Sequence, residues 1–466
     1  MSSEITTALA DAAPVPFWLD TPVRPAARVP LTTALTTDLL VVGGGFSGLW
    51  TALLAKEADP GREVVLLEGG RIAWGASGRN GGFAAASLTH GLANGGARYP
   101  SEMPTLLALG RSNLEAIGAT IDRYGIECGW EATGELDVAT EAWQLAELAE
   151  QVELAGSYGV SVELVDAAAV RQLVNSPTYL GGVLDRQGVA MVDPARLAFG
   201  LAAAAEAAGV HIAEHSPVRS LDEDGARVVA RTHQGSVRAR RVALGTNAFP
   251  PLLRRISAYI VPVYDYVLVT EPLSAAQRAA IGWASRVGVG DSGNQFHYYR
   301  LTADDRILWG GYDAVYRYGS RMRPQDAQRP ATARLLAEHF FATFPALAGV
   351  RFTHSWGGAI DTCTRFSPFW GRAMGGKVGY VAGYTGLGVG ASRFGAAVLL
   401  DLLDGRRTAR TALSMVARKP LPFPPEPARW LAIQATRRSL ARADRNGGQR
   451  DRWLRTLDRL GLGFDS

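Results

Sequence analysis

The apolar run Leu39-Leu40-Val41-Val42 leads directly into Gly43-Gly44-Gly45-Phe46-Ser47-Gly48, and this junction constrains the chain more than any other feature. Gly43, Gly45 and Gly48 fit the pattern GxGxxG. The first glycine permits a tight turn, the second lets a pyrophosphate approach the backbone, and the third lets helix and strand pack closely. Helical spacing from about Ser47 to Lys56 and a second apolar run, Val64–Leu67, complete a strand–helix–strand unit. Glu68 then stands where a carboxylate accepts hydrogen bonds from ribose hydroxyls. Phe46 and Ser47 open the helix, whose free N–H groups and positive dipole end favour phosphate. Together these features predict a dinucleotide site.

Three further segments decide which dinucleotide. Gly75-Ala76-Ser77-Gly78-Arg79-Asn80-Gly81-Gly82 is a second small-residue loop, suited to close backbone approach along a long cofactor. The apolar run Arg241–Leu244 enters Gly245-Thr246-Asn247. Near the end, the run Gly379–Ala382 passes through Gly383-Tyr384-Thr385-Gly386-Leu387-Gly388-Val389-Gly390 into a helix from Ala391 to about Leu403. A helix N-terminus there, presented by Gly386, Leu387 and Gly388, would stabilise an anionic reduced flavin ring. A nicotinamide-binding domain has no use for that element, so the cofactor is read as FAD.

Between these motifs, helical periodicity marks Thr105–Tyr124, Glu141–Tyr158 and Leu197–Ala208, the last prefaced by Asp193 and Pro194 as cap and first-turn residue. Strands are expected at Val228–Arg231, Val237–Leu244, Tyr259–Thr270 and Tyr298–Gly311. Residues 1–37, rich in Pro, Ala and Thr, read as a loosely structured arm. Of 466 residues 47% are hydrophobic and 20% charged, which excludes global disorder. Cys128 and Cys363 are too few for a disulfide framework and show no metal-ligand spacing, so no metal is expected and a reducing compartment fits. No basic-then-apolar start and no long uncharged apolar stretch is present, and a cytoplasmic enzyme is the expectation. Net charge is +4, without a basic surface interleaved with aromatics, so no nucleic-acid partner is read.

These motifs resemble the D-amino-acid-oxidase-like family of FAD-dependent oxidoreductases, from about Asp38 to Leu403. The Val192-Asp193-Pro194 segment and Trp356-Gly357-Gly358 add to the likeness, and Arg79-Asn80-Gly81-Gly82 looks most like the γ-glutamylputrescine oxidoreductase branch. The resemblance implies an α/β architecture of the glutathione-reductase-like kind. A discontinuous Rossmann-like FAD-binding domain (38–104, 181–255 and 355–410) would interleave with a mixed-sheet substrate domain (105–180 and 256–354). It also implies that Val218, after Ser216-Pro217, contacts the adenine through its backbone. The activity implied is hydride transfer from a carbon bearing nitrogen to flavin N5, followed by imine hydrolysis. A flavin monooxygenase is the rival enzyme reading, though it would usually carry a Gly-Asp motif before the last helix. A non-catalytic flavin-binding subunit is the rival outside catalysis.

Relatives that bind α-amino acids place an arginine shortly after Trp-x-Gly, whereas this chain reads Ala359-Ile360-Asp361, with no arginine before Arg365. An amine substrate gains accordingly, and Asp361 is the candidate for holding its ammonium. Alternation along the Tyr298 strand sends Tyr298 and Arg300 to one face, as further substrate candidates. His297 and His354 are possible bases. Cys363 is out of register with the tethering cysteine of some relatives, so the FAD is expected to be non-covalent. Past Pro420 the composition turns to proline and then to two basic helices in 420–466. In these Trp430, Ile433, Leu440 and Ala441 share a face, as do Trp453, Leu457 and Leu460. Docking on the enzyme's own body is favoured over a membrane or protein partner.

Overall fold

The computed structural model describes residues 2–462 and builds them around two large sheets. In the first, the strand Ala34–Val42 lies between Val64–Leu67 and Ser236–Leu244, parallel to both. His211–Ala213 continues the parallel run on one side and Val378–Ala382 on the other. Towards their carboxyl ends the central strands are buried on both faces: Leu39 and Val41 pack under helices, and Leu40 and Val42 pack in a second core with Val228, Ala230, Ile256 and Ile260. The Phe46–Ala58 and Gly388–Leu403 helices pack on each other, and Pro194–Ala207 packs beside the former. That double burial explains why Leu39–Val42 and Val64–Leu67 read as continuous apolar runs rather than alternating ones. Asp193 caps the Pro194 helix by accepting from the Arg196 N–H at 2.9 Å.

The second sheet has nine strands, with Val261–Thr270 paired to Phe352–Thr362 along nearly their whole length. Its outer face packs on the Pro330–Thr343 helix through Phe340, Phe344, Trp309 and Tyr299. The expected single strand Tyr298–Gly311 is instead a hairpin, His297–Leu301 and Ile307–Gly311, with Arg300 opposite Leu308. Asp304 and Asp305 make the turn, Asp305 at φ 60°, as short acidic side chains that tolerate this region often do. Two domain boundaries move as well. Gly181–Asp185 pairs with Glu135–Ala139, and Phe352–Thr362 with Val261–Thr270, so both belong to the second sheet rather than to the FAD-binding part.

The N-terminal arm is ordered, contrary to the expectation of a loose segment. Ser2–Leu9 forms a helix against Pro330–Thr343, burying Ile5 and Ala8, and the first strand begins at Ala34 rather than Leu39. Trp18 sinks into the first core and donates from Nε1 to the Asn80 carbonyl at 2.8 Å. Isolated anchors such as Ile5, Trp18 and Leu31 carry too little periodicity to be seen in a Pro/Ala/Thr-rich background. Among the described residues no helix is long and apolar enough to cross a membrane.

Candidate active site

Register places the cofactor motifs together. Val42 lies opposite both Leu67 and Leu244, Leu67 opposite Ala213, and Leu244 opposite Tyr380. The turns that follow these strands therefore meet at the carboxyl edge of one parallel sheet, where open α/β sheets bind ligands. They border a cavity of about 1980 Å³ that continues to the second sheet.

The glycines act as the spacing requires, but not all at the cavity wall. Gly43 has φ 112°, closed to most side chains. A Cβ on Gly48 would stand 1.8 Å from the Gly43 carbonyl oxygen, so this glycine serves helix–strand packing and lies behind the wall. Gly45 faces the cavity beside Ser77, whose Oγ accepts from the Phe46 N–H at 2.9 Å. Ser47 donates to the Tyr384 hydroxyl at 2.9 Å and joins the first glycine turn to the last. Glu68 is buried with both oxygens engaged: Gly44 N–H donates to one at 2.5 Å, Gly70 N–H and Trp74 Nε1 to the other at 2.6 and 2.7 Å. These donors fix the carboxylate, and an ionised carboxylate has about four acceptor sites, so one remains for a ribose hydroxyl. Val218, Gly245 and Thr246 border the same cavity.

The 75–82 loop is held by its own side chains. Asn80 donates to the Ala76 and Ser77 carbonyls and accepts from Gly82 N–H. Arg79 donates to the Trp74 and Gly357 carbonyls at 2.8 and 3.0 Å. Gly81 is bare where a Cβ would press the Tyr298 ring, and Gly82, at φ 79°, abuts the Val192 carbonyl. Arg300 lies behind this loop. Its guanidinium donates to the carbonyls of Val192 and Gly82 and stacks over Trp18, and it does not border the cavity. The expectation that Arg300 meets substrate is therefore corrected: alternation gave its face, while the main-chain carbonyls in front of it use its donors.

Asp361 is also engaged by main chain. The residue borders the cavity, but its Oδ2 accepts from Gly383 N–H at 2.6 Å and its main-chain carbonyl accepts from Thr385 N–H at 3.4 Å. It braces the last glycine turn, where Gly386 at φ 97° leaves open space beside Leu387 and Gly388. Burial outweighs these donors and pushes its carboxyl up to about 7. His297 is clamped between Asp291 and His339, and His354 between Thr353 and Asp20, and neither ring borders the cavity. Cys363 is buried against the Ser367 and Gly383 carbonyls, its thiol pushed up by burial.

Tyr298 does face the cavity, together with a residue the sequence reading passed over. Its hydroxyl donates to Asp265 Oδ2 at 2.5 Å, and Tyr266 N–H donates to the other oxygen at 2.8 Å. Burial raises the Asp265 carboxyl to about 6 against these donors. A signal was present: an aspartate inside the apolar strand Val-Pro-Val-Tyr-Asp-Tyr-Val-Leu-Val-Thr is costly unless it is partnered or functional. His90 was also missed. It stands on the same wall, at φ 58°, with burial pushing its pKa down and favouring the neutral ring.

The turns leave room for a flavin dinucleotide, with glycines where the backbone must come close and a helix N-terminus at each end. Residues 38–402 match the family described as FAD dependent oxidoreductase. The chain is 36% identical over 403 residues to gamma-glutamylputrescine oxidoreductase of Escherichia coli (strain K12), covering 84% of this chain and 89% of that one. It is 26% identical to sarcosine oxidase subunit beta of Rhizobium meliloti (strain 1021), covering 71% and 76%. Glycine oxidase from Geobacillus kaustophilus shares the fold, with a TM-score of 0.65 at 20% identity over 80% of this chain and 96% of that one. With the motifs, their register and the match agreeing, the chain belongs to the family of FAD dependent oxidoreductases.

Proposed function

We propose that the chain oxidises an amine at the carbon bearing nitrogen, and that Asp265 with Tyr298 receives the amine. FAD, when bound, supplies the chemistry by accepting the hydride at N5, and water then hydrolyses the imine. Non-covalent FAD is part of this reading, since the Cys363 thiol is buried between two carbonyls. The observation that carries it is the Asp265–Tyr298 pair, a carboxylate in the cavity bordered by the cofactor turns. Asp265 replaces Asp361 as the group proposed to hold the ammonium, because Asp361 is occupied by the glycine turn. Arg79, the nearby guanidinium, directs Nε and Nη1 to two main-chain carbonyls. The names of the relatives are consistent with amine chemistry.

Alkyl amines are protonated below about pH 10, yet hydride leaves only when the nitrogen lone pair is free. The ionised Asp265 attracts the cation, and the Tyr298 hydroxyl keeps the carboxylate oriented. Anaerobic mixing with a series of amines should bleach the flavin band, with a saturating rate that rises with pH. The reading is overturned if no amine bleaches the flavin, or if glycine and D-alanine do so faster than every amine.

A further inference from the structure

We propose that the C-terminal helices form the outer wall of the substrate chamber and contact the distal part of an extended amine. This inference rests on the amine reading above. The family match ends at residue 402, before these helices begin. Helix Ala428–Arg445 sends Arg429, Ile433, Thr436, Arg437 and Leu440 to the cavity. Their spacing of four, three, one and three residues defines a single helical face.

That face is unusual in what it buries. Over eighteen residues only Ser439 and Ala443 are buried, both small. A helix docked on a packed core buries its large apolar residues. Here Ile433 and Leu440 are only partly covered by protein, because they look into the chamber. Apolar side chains lining a void lack contact atoms on one side, and the apolar stem of a ligand supplies them.

The helix is nonetheless firmly placed. Glu426, just before it, accepts from the Tyr316 hydroxyl at 2.6 Å and from Gly319 N–H at 2.9 Å. Arg437 pairs with Asp313 at 2.9 Å. Asp444 accepts from the Asn294 side chain at 2.7 Å and from the N–H groups of Asn294 and Gln295 at 2.9 and 3.0 Å. The Asn294–Gln295 loop leads into the strand of Tyr298, so the wall is tied to the element that carries the proposed amine site. Trp453 of the last helix donates to Thr436, and Leu457 extends the apolar lining. The occupant that fits is an amine with an apolar stem of several carbons.

Ile433→Ala/Leu440→Ala in the full chain should raise KM for hexylamine by about tenfold, the scale of one or two methylenes losing their contact surface. KM for methylamine, too short to reach the wall, should stay within about twofold, with kcat unchanged for both. Equal changes for the two amines, or none, would overturn the wall. A second measurement needs no turnover: quenching of flavin fluorescence by acrylamide should increase severalfold in a chain ending at Pro427 that still retains FAD. Unchanged quenching in that chain also overturns the proposal. A parent enzyme whose flavin no amine reduces, but whose quenching rises on truncation, would sink the amine reading and leave the wall standing.

Discussion

The two ends of the cavity are made of different material. At the cofactor end the wall is backbone: glycine turns at the edge of one parallel sheet, their relative positions set by strand register. At the proposed substrate end it is side chain: Asp265 and Tyr298 from the second sheet, and Ile433 and Leu440 from a helix more than a hundred residues further on. A backbone wall cannot yield to an added atom, because its atoms are fixed by the sheet. A side-chain wall can be re-cut one residue at a time. The cofactor end should therefore fail completely when altered, and the substrate end should change by degrees.

The largest effect is expected at Gly48. A methyl group there meets the Gly43 carbonyl oxygen at 1.8 Å, and neither the strand nor the helix can withdraw without opening the turn. Gly48→Ala should purify without FAD, or unfold. Gly388→Ala makes the sharper control, since apart from its chain neighbours and its own helix backbone nothing lies within 4 Å of its new Cβ. Loss of FAD there would report contact with the cofactor rather than strain in the protein. A Gly48→Ala protein that keeps a full complement of FAD would break the contrast between the two ends.

This difference also governs how much could be read from sequence. The cradle is written locally: Gly43, Gly45 and Gly48 within six residues, Glu68 at the end of the next strand, and turns that each follow an apolar run. Such patterns carry their own geometry, which is why the cofactor and the α/β architecture were legible. The chamber is written non-locally. Alternation gave the faces of Tyr298 and Arg300 correctly, but not what stood in front of each. Tyr298 meets an aspartate thirty-three positions away, and Arg300 meets two carbonyls in other segments. Asp361 was singled out by its place after Trp-Gly-Gly, yet the turn that occupies it begins twenty-two residues later. The tail's helices and apolar faces were visible, whereas the chamber beneath them needed the folded chain.

At the substrate end, Asp265→Asn is expected to have the greatest effect. The amide oxygen can still accept from Tyr266 N–H, and the NH2 group can donate to a Tyr298 hydroxyl turned to accept, so the fold and the FAD spectrum should persist. Loss of the charge should lower kcat/KM for amines by roughly 100-fold, the usual scale for removing a charged or proton-handling group. In the parent, the acid limb of kcat/KM should fall near pH 6, where the Asp265 carboxyl titrates. The Tyr298 hydrogen bond lowers that value, so Tyr298→Phe should move the limb upward. A limb that stays in place in Tyr298→Phe would show that another group controls it.

Arg300→Met tests the opposite assignment, a buried cation that serves the scaffold. Its loss removes the Arg300 donor from the Val192 carbonyl, while the Gly82 carbonyl keeps Val192 N–H, at a cost of about 1–3 kcal/mol. The denaturant midpoint should fall, while KM in the surviving folded enzyme stays near the parent value. A selective rise in KM with unchanged stability would return Arg300 to the substrate site.

The smallest effect concerns Asp361 and is read in stability rather than rate. Its carboxyl is raised to about 7 in the folded protein, against roughly 3.9 in the unfolded chain. Between these values the folded state holds a proton that the unfolded state has released, so stability must fall as pH rises. The contribution is complete below about pH 4 and is lost as pH passes through about 7. Asp265 and Asp137, both raised to about 6, add to the same trend and are not removed by changing Asp361. The informative quantity is therefore the difference in Tm between parent and Asp361→Asn. Asparagine cannot ionise, and its NH2 group is a poor neighbour for the N–H donors of the Gly383 turn, so the variant should be less stable at pH 5. As pH rises to 8 the parent gives up its advantage and the variant does not, so the gap should narrow. A gap independent of pH would mean that Asp361 is ionised throughout, with the main-chain N–H groups around it outweighing burial.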